Sequence, residues 1–150
     1  MIPDVVVLEG TTRDFNPKVE EVLKKRITEL TNKTAEGFNC KAEIQWCTPE
    51  YPVVMNHERE TGYVIKAAEK VLGKEMVDSE DLPVMGAEDF SLYLQKVPGS
   101  FFFVGAVSEK HPPVVHHASN FNANDESLPC SVKVMMAIAQ ERLDIQLYSY

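Results

Sequence analysis

Two prolines within four residues, in Thr48-Pro49-Glu50-Tyr51-Pro52, constrain this chain more than any other feature. Each proline removes a backbone donor and fixes φ, so the stretch excludes both a helix interior and the centre of a sheet. The chain is therefore read as two parts joined by a hinge at residues 49–52. At 150 residues with 44% hydrophobic content, it can bury one respectable core or two small ones.

The first part reads as β-α-β, with helices on one face of an open sheet. Val5, Val6, Val7 and Leu8 form a β-branched run that ends at Gly10, the pattern of a strand buried on at least one face. Asn16 then suits a cap, Pro17 the first helical position, and Glu20 and Glu21 the positive end of the helix dipole. Val19, Val22, Leu23, Ile27 and Leu30 make one apolar stripe, and Gly37 stops the helix. From Cys40 to Cys47 the chain alternates, with Ala42, Ile44 and Trp46 on one face and Lys41, Glu43 and Gln45 on the other. That is the period of a half-solvated strand.

After the hinge, Asn56 suits the cap of a helix running to about Leu72, with Val64, Ala67, Ala68, Val71 and Leu72 inward and Gly73 beyond its end. A short strand is read near Met76 and Val77. Met85-Gly86-Ala87-Glu88-Asp89-Phe90 is a small-residue turn opening a helix on which Phe90, Tyr93, Leu94 and Val97 share a face. On chemistry alone, Glu88 and Asp89 read as helix-capping acids. Phe101-Phe102-Phe103-Val104-Gly105 is apolar on both faces and reads as a central strand. A last helix spans about residues 125–143, with Leu128, Val132, Met135, Met136, Ala139 and Leu143 inward and the methionines as core filler.

Two of the four histidines, His116 and His117, stand beside Asn120, Asn122, Asn124, Asp125 and Glu126. From residue chemistry this loop has two readings, a polar cap for the following helix or part of a metal or catalytic site. A metal ion needs three or four protein ligands, and helpers are scarce: there is no H-E-x-x-H and no second histidine pair. His57, at a surface-facing helix start, reads as solvated. No G-x-S-x-G elbow, glycine-rich phosphate loop or Cys-His dyad is present. The net charge of -8 argues against nucleic-acid partners. No window has the apolar length to span a membrane and the start lacks a signal-peptide pattern, so a cytoplasmic protein is expected. Three cysteines without C-x-x-C spacing indicate neither a disulfide framework nor a cysteine zinc cage. Residues 5–8 read as strand almost at once after Met1, as if the chain began partway through a fold.

Taken in order, Ile2-Pro3-Asp4, Leu8-Glu9-Gly10-Thr11-Thr12-Arg13, Tyr51-Pro52 with Asn56, Met85-Gly86-Ala87-Glu88-Asp89-Phe90, Pro98-Gly99-Ser100-Phe101-Phe102, and His117 with Phe121, Asn124-Asp125-Glu126 and Leu128-Pro129 resemble a known series. It is that of the C-terminal part of the metal-dependent N-acyl-amino-acid amidohydrolases, the group of the hippurate hydrolases and indoleacetyl-amino-acid hydrolases. The resemblance implies an α/β (α+β) protein: residues 1–50 as half of a ferredoxin-like lid that also dimerises, residues 51–150 as the closing part of a zinc-peptidase-like catalytic domain. The reaction it implies is amide hydrolysis by water bridging two divalent ions, zinc or manganese. Most ligands of that family, a Cys-Gly-His-Asp-like cluster and a paired-Glu segment, have no counterpart in this chain, so the resemblance implies a piece that holds metal weakly and is inactive alone. What carries over is the last metal histidine, onto His117, the lid arginine, onto Arg13, whose planar fork suits a substrate carboxylate, and the substrate-side Gly86. Ser131 stands where the family often has Gly, and Ala118 and Ser119 where it has Pro or Ser nearby. The implied partners are an acyl-amino acid and a second copy paired through the lid. The competing readings are a non-catalytic dimerisation module, because half a lid exposes sheet edges, and a small α/β binding protein whose histidine loop is only a cap.

Overall fold

The computed structural model describes residues 3–47, 50–80, 83–110, 113–114 and 117–146. Its regular elements are α1 (Pro17–Gly37), α2 (Glu58–Leu72), a 3-10 turn (Lys74–Met76), α3 (Phe90–Leu94) and α4 (Ser127–Leu143). Among the described residues there is no strand, only an isolated bridge residue at Ser108. The chain divides into two compact units, Met1–Val54 with Pro83–Leu92, and Met55–Leu82 with Tyr93–Tyr150.

The α/β expectation is overturned, and with it the β-α-β half-lid. A strand is a member of a ladder, because its N–H and C=O groups must meet those of a neighbour. The runs at 5–8, 41–47 and 101–104 have the side-chain pattern without the ladder. Val5, Val6, Val7 and Leu8 are between 68% and 91% exposed, the reverse of a strand packed on a core. At 41–45 the alternation survives as burial alone: Ala42 and Ile44 are half-buried, Lys41, Glu43 and Gln45 exposed. In the run read as a central strand, Phe103 lies 60% exposed. The Phe101 and Phe103 rings meet edge to face, centroids 5.2 Å apart.

In the first unit, α1 begins as its residues dictate. The Asn16 side chain accepts the Lys18 N–H at 2.9 Å, and Pro17 occupies the first turn, where a missing donor costs nothing. No α1 residue is fully buried, and Leu23 and Ile27 are the half-buried part of its stripe while Val19, Val22 and Leu30 are exposed. With so little packing to hold it, α1 depends on its cap. Asn16→Ala is expected to cost about 1 kcal/mol, read as a loss of helical circular dichroism at lower denaturant.

The core lies in the second unit: Ala67, Ala68, Leu94, Val134 and Ala137 are buried, and α2 packs against α4. The α2 stripe agrees with the sequence, with Val64, Val71 and Leu72 half-buried around the two alanines. Gly73 ends the helix at φ 94, its N–H returning to the Glu69 carbonyl. On α4 the inward face differs from expectation. Val134 and Ala137 are buried, whereas Leu128, Val132, Met135 and Leu143 are 55–65% exposed. The helix carries apolar residues on more than one face, so periodicity alone does not select the packed one. Arg142 of α4 lies over the Tyr63 ring of α2, 4.5 Å from its centroid. The region read as a strand at Met76 and Val77 is instead the end of the 3-10 turn.

Candidate functional site

In the second unit the start of α2 is fastened to a distant segment. Asn56 is not the cap: His57 holds that position and makes no side-chain capping bond. The Asn56 amide instead donates to the Phe101 carbonyl and accepts the Phe101 N–H, both at 2.7 Å. The His57 N–H donates to the Gly99 carbonyl at 3.0 Å, and the Gly99 N–H donates to His57 Nδ1 at 3.2 Å. His57 is half-buried rather than solvated, and its Nδ1 also lies 3.3 Å from the Gly99 carbonyl. Thr61 Oγ1 bonds the His57 carbonyl and lies 3.1 Å from Ser100 Oγ.

The histidine loop follows from this segment. The Asn124 N–H donates to the Ala106 carbonyl at 3.4 Å, closing the base of the loop. Asn124 opens the turn that precedes α4, its Oδ1 accepting the Glu126 N–H at 3.1 Å and its carbonyl the Ser127 N–H at 2.9 Å. Within the loop, Phe121 N–H meets the Ala118 carbonyl at 3.0 Å. His117 is exposed and takes φ 65, left-handed backbone that a side chain with a Cβ adopts at a cost. His116 lies outside the described residues. Ser108, Glu109, Lys110, Asn124 and Glu126 line an open hollow beside the loop base.

Arg13 and Gly86 belong to the first unit. Arg13 is exposed and donates from Nη1 to the Thr12 carbonyl at 2.8 Å, which keeps its guanidinium at the surface. A Cβ on Gly86 would meet only Val84 Cγ2, at 4.0 Å, so local sterics do not explain the glycine. Just beyond it, Glu88 acts as a capping acid: Oε1 accepts the Phe90 N–H at 3.3 Å, and its carbonyl accepts from Oγ of the fully buried Ser91 at 2.7 Å.

The remaining charge pairs are surface features. Lys24 bridges Glu20 and Glu50 and lies 5.8 Å from the Trp46 ring centroid. Its hydrogen bond holds the Glu20 carboxyl below the usual carboxylate range, and the guanidinium of Arg59 does the same to Glu60. Among the described residues, no three His, Cys, Asp or Glu side chains gather in a way that can hold a metal ion. The residues present therefore do not fit a complete metal site, and His117 is a single donor. No described helix is long and apolar enough to cross a membrane. The clasp of Asn56 and His57 on residues 99–101 is not legible from local pattern; the one sequence signal for it is that Asn56 and Pro98-Gly99 both stand in the ordered blocks.

The family model described as Peptidase family M20/M25/M40 matches residues 2–141, and the chain belongs to that family. It is 35% identical over 141 residues to the putative amidohydrolase YhaA of Bacillus subtilis (strain 168), covering 93% of this chain and 35% of that protein. It is 34% identical over 147 residues to the IAA-amino acid hydrolase ILR1-like 5 of Arabidopsis thaliana, covering 95% of this chain and 34% of that protein. It is 37% identical over 105 residues to the N-acetyl-L-cysteine deacetylase of Bacillus subtilis, covering 70% of this chain and 24% of that protein. The chain thus spans about a third or less of these relatives. No solved structure matches it.

Proposed function

We propose that this chain is the closing part of an amidohydrolase that cleaves the amide bond of N-acyl amino acids. In this reading His117 supplies one ligand to a divalent ion, zinc or manganese, Arg13 meets the substrate carboxylate, and Gly86 lines the substrate end. The other ligands lie in polypeptide beyond this sequence. Residues 51–150 are the closing part of the catalytic domain, and residues 1–50 the part that pairs two copies. The observation that carries the reading is the family match over residues 2–141 together with relatives named for hydrolysis of acylated amino acids. Pairing is supported by the exposure of Val5, Val6, Val7 and Leu8, an apolar run that gains by being covered. A cytoplasmic location is supported by three free cysteines, Cys40, Cys47 and Cys130.

Because an ion held by one histidine is weakly bound, the 150 residues alone are expected to show no turnover of hippurate, N-acetyl amino acids or indoleacetyl amino acids above a chelator-treated blank. Metal content after zinc or manganese loading and desalting is expected well below one ion per chain. Turnover that chelator abolishes, and that persists through different purification routes, would overturn the inactive-alone reading. The non-catalytic alternative is separated by the same metal measurement on a chain of the relatives' length, where it expects no bound ion.

A further inference from the structure

We infer that Asn56 is a positioning residue for the loop that carries His117. The consequence for His117 rests on the amidohydrolase reading; the placement of the loop does not. An extended segment turns the N–H and C=O groups of residues i and i+2 toward the same side, where a neighbouring strand would meet them. Gly99 and Phe101 are such a pair, and no strand stands beside them among the described residues.

Two consecutive side chains take the missing neighbour's place. The primary amide of Asn56 has the donor and acceptor of a peptide group, and it engages both the N–H and the C=O of Phe101. His57 does the same for Gly99, with its backbone N–H as donor and Nδ1 as acceptor. All four backbone groups on that edge are thereby matched. The arrangement forgoes a side-chain cap on α2, worth about 1 kcal/mol: His57 stands at the cap position, and its Nδ1 meets Gly99 instead.

The next residues along the chain show what the clasp sets. Five residues beyond Phe101, the Ala106 carbonyl accepts the Asn124 N–H at the start of α4. The loop between these two points holds His117. One arm of the loop is thus indexed to α2 by Asn56 and the other to α4 by Asn124, while α2 and α4 are themselves packed together. Removing the Asn56 amide loosens the incoming arm at Phe101, leaving it held at Gly99 and Ala106, without touching Val134 or Ala137 in the helix pair.

The test is nuclear magnetic resonance on the intact 150-residue protein. In the unsubstituted chain the Phe101 amide is expected to exchange about tenfold more slowly than an unbonded amide. Asn56→Ala should abolish that protection and shift the imidazole resonances of His117, while the methyl resonances of Val134 and Ala137 stay in place. Asn56→Asp keeps the acceptor for the Phe101 N–H and loses the donor to its carbonyl, so it should retain part of the protection and shift His117 less. An unprotected Phe101 amide in the unsubstituted chain overturns the inference even if neither variant folds. So does a His117 signal unmoved when protection is lost, or a shift of the core methyls as large as that of His117, which would mark a general structural role. Failure of the metal and turnover measurements above would leave this result standing, so the two readings fail separately.

Discussion

Val134→Asp is expected to destabilise the second unit by about 3–5 kcal/mol, the cost of leaving a buried charge without a partner. Val134 is 3% exposed and Ala137, on the same side of α4, also 3%. The buried residues of the facing helix, Ala67 and Ala68, are small enough to bring the two backbones close. A carboxylate introduced there has little water and little room. Domains of this size are stable by about 5–15 kcal/mol in all, so the loss takes a large share and shows as a much lower urea midpoint. Val132→Asp is the informative comparison. Val132 is 55% exposed, and a charge there should change stability by no more than about 0.5 kcal/mol. The sequence stripe put Val132 inward. An equal or larger loss from Val132→Asp would mean that the stripe, and not the observed Val134 face, packs against α2.

That comparison shows where residue patterns carry structural information and where they do not. Asn16, Pro17 and Gly37 act within a turn or two of their own position, and α1 starts and stops where they place it. The α2 stripe works because its opposite face is charged, so only one face can be buried. On α4 several faces are apolar, and the choice among them depends on the partner helix. The strand readings failed for a related reason. Alternation at 41–45 correctly orders which side chains are covered, but a ladder also needs a neighbouring backbone, which no local pattern supplies. Asn56 reads as a cap because capping is the commonest use of an asparagine before a helix; its partner, Phe101, lies 45 residues away. For the candidate site, the positions came from the ordered family blocks and not from clustering, because three donors for one ion do not occur together among the described residues.

In a chain of the relatives' length that carries this sequence and hydrolyses an acyl-amino acid, His117→Ala is expected to lower turnover by at least about 100-fold, and His116→Ala by less than about tenfold. The spacing of four residues from His117 to Phe121 and seven to Asn124 is the one that fits the family series. The backbone adds an independent argument. Among the described residues, three non-glycine positions have positive φ: Asn39, His117 and Asp144. Asn39 and Asp144 stand just past the ends of α1 and α4, where a left-handed residue closes a helix and where Asn and Asp adopt it most readily. His117 ends no helix, so its conformation brings no such local gain. His117→Gly should therefore leave stability unchanged or raise it by up to about 1 kcal/mol, while removing as much turnover as His117→Ala. Thermal melting and metal content of the two variants, measured beside turnover, separate the effects. Equal activity losses at His116 and His117, or full activity and retained metal in His117→Ala, would remove the residue-level basis for assigning His117 as a ligand.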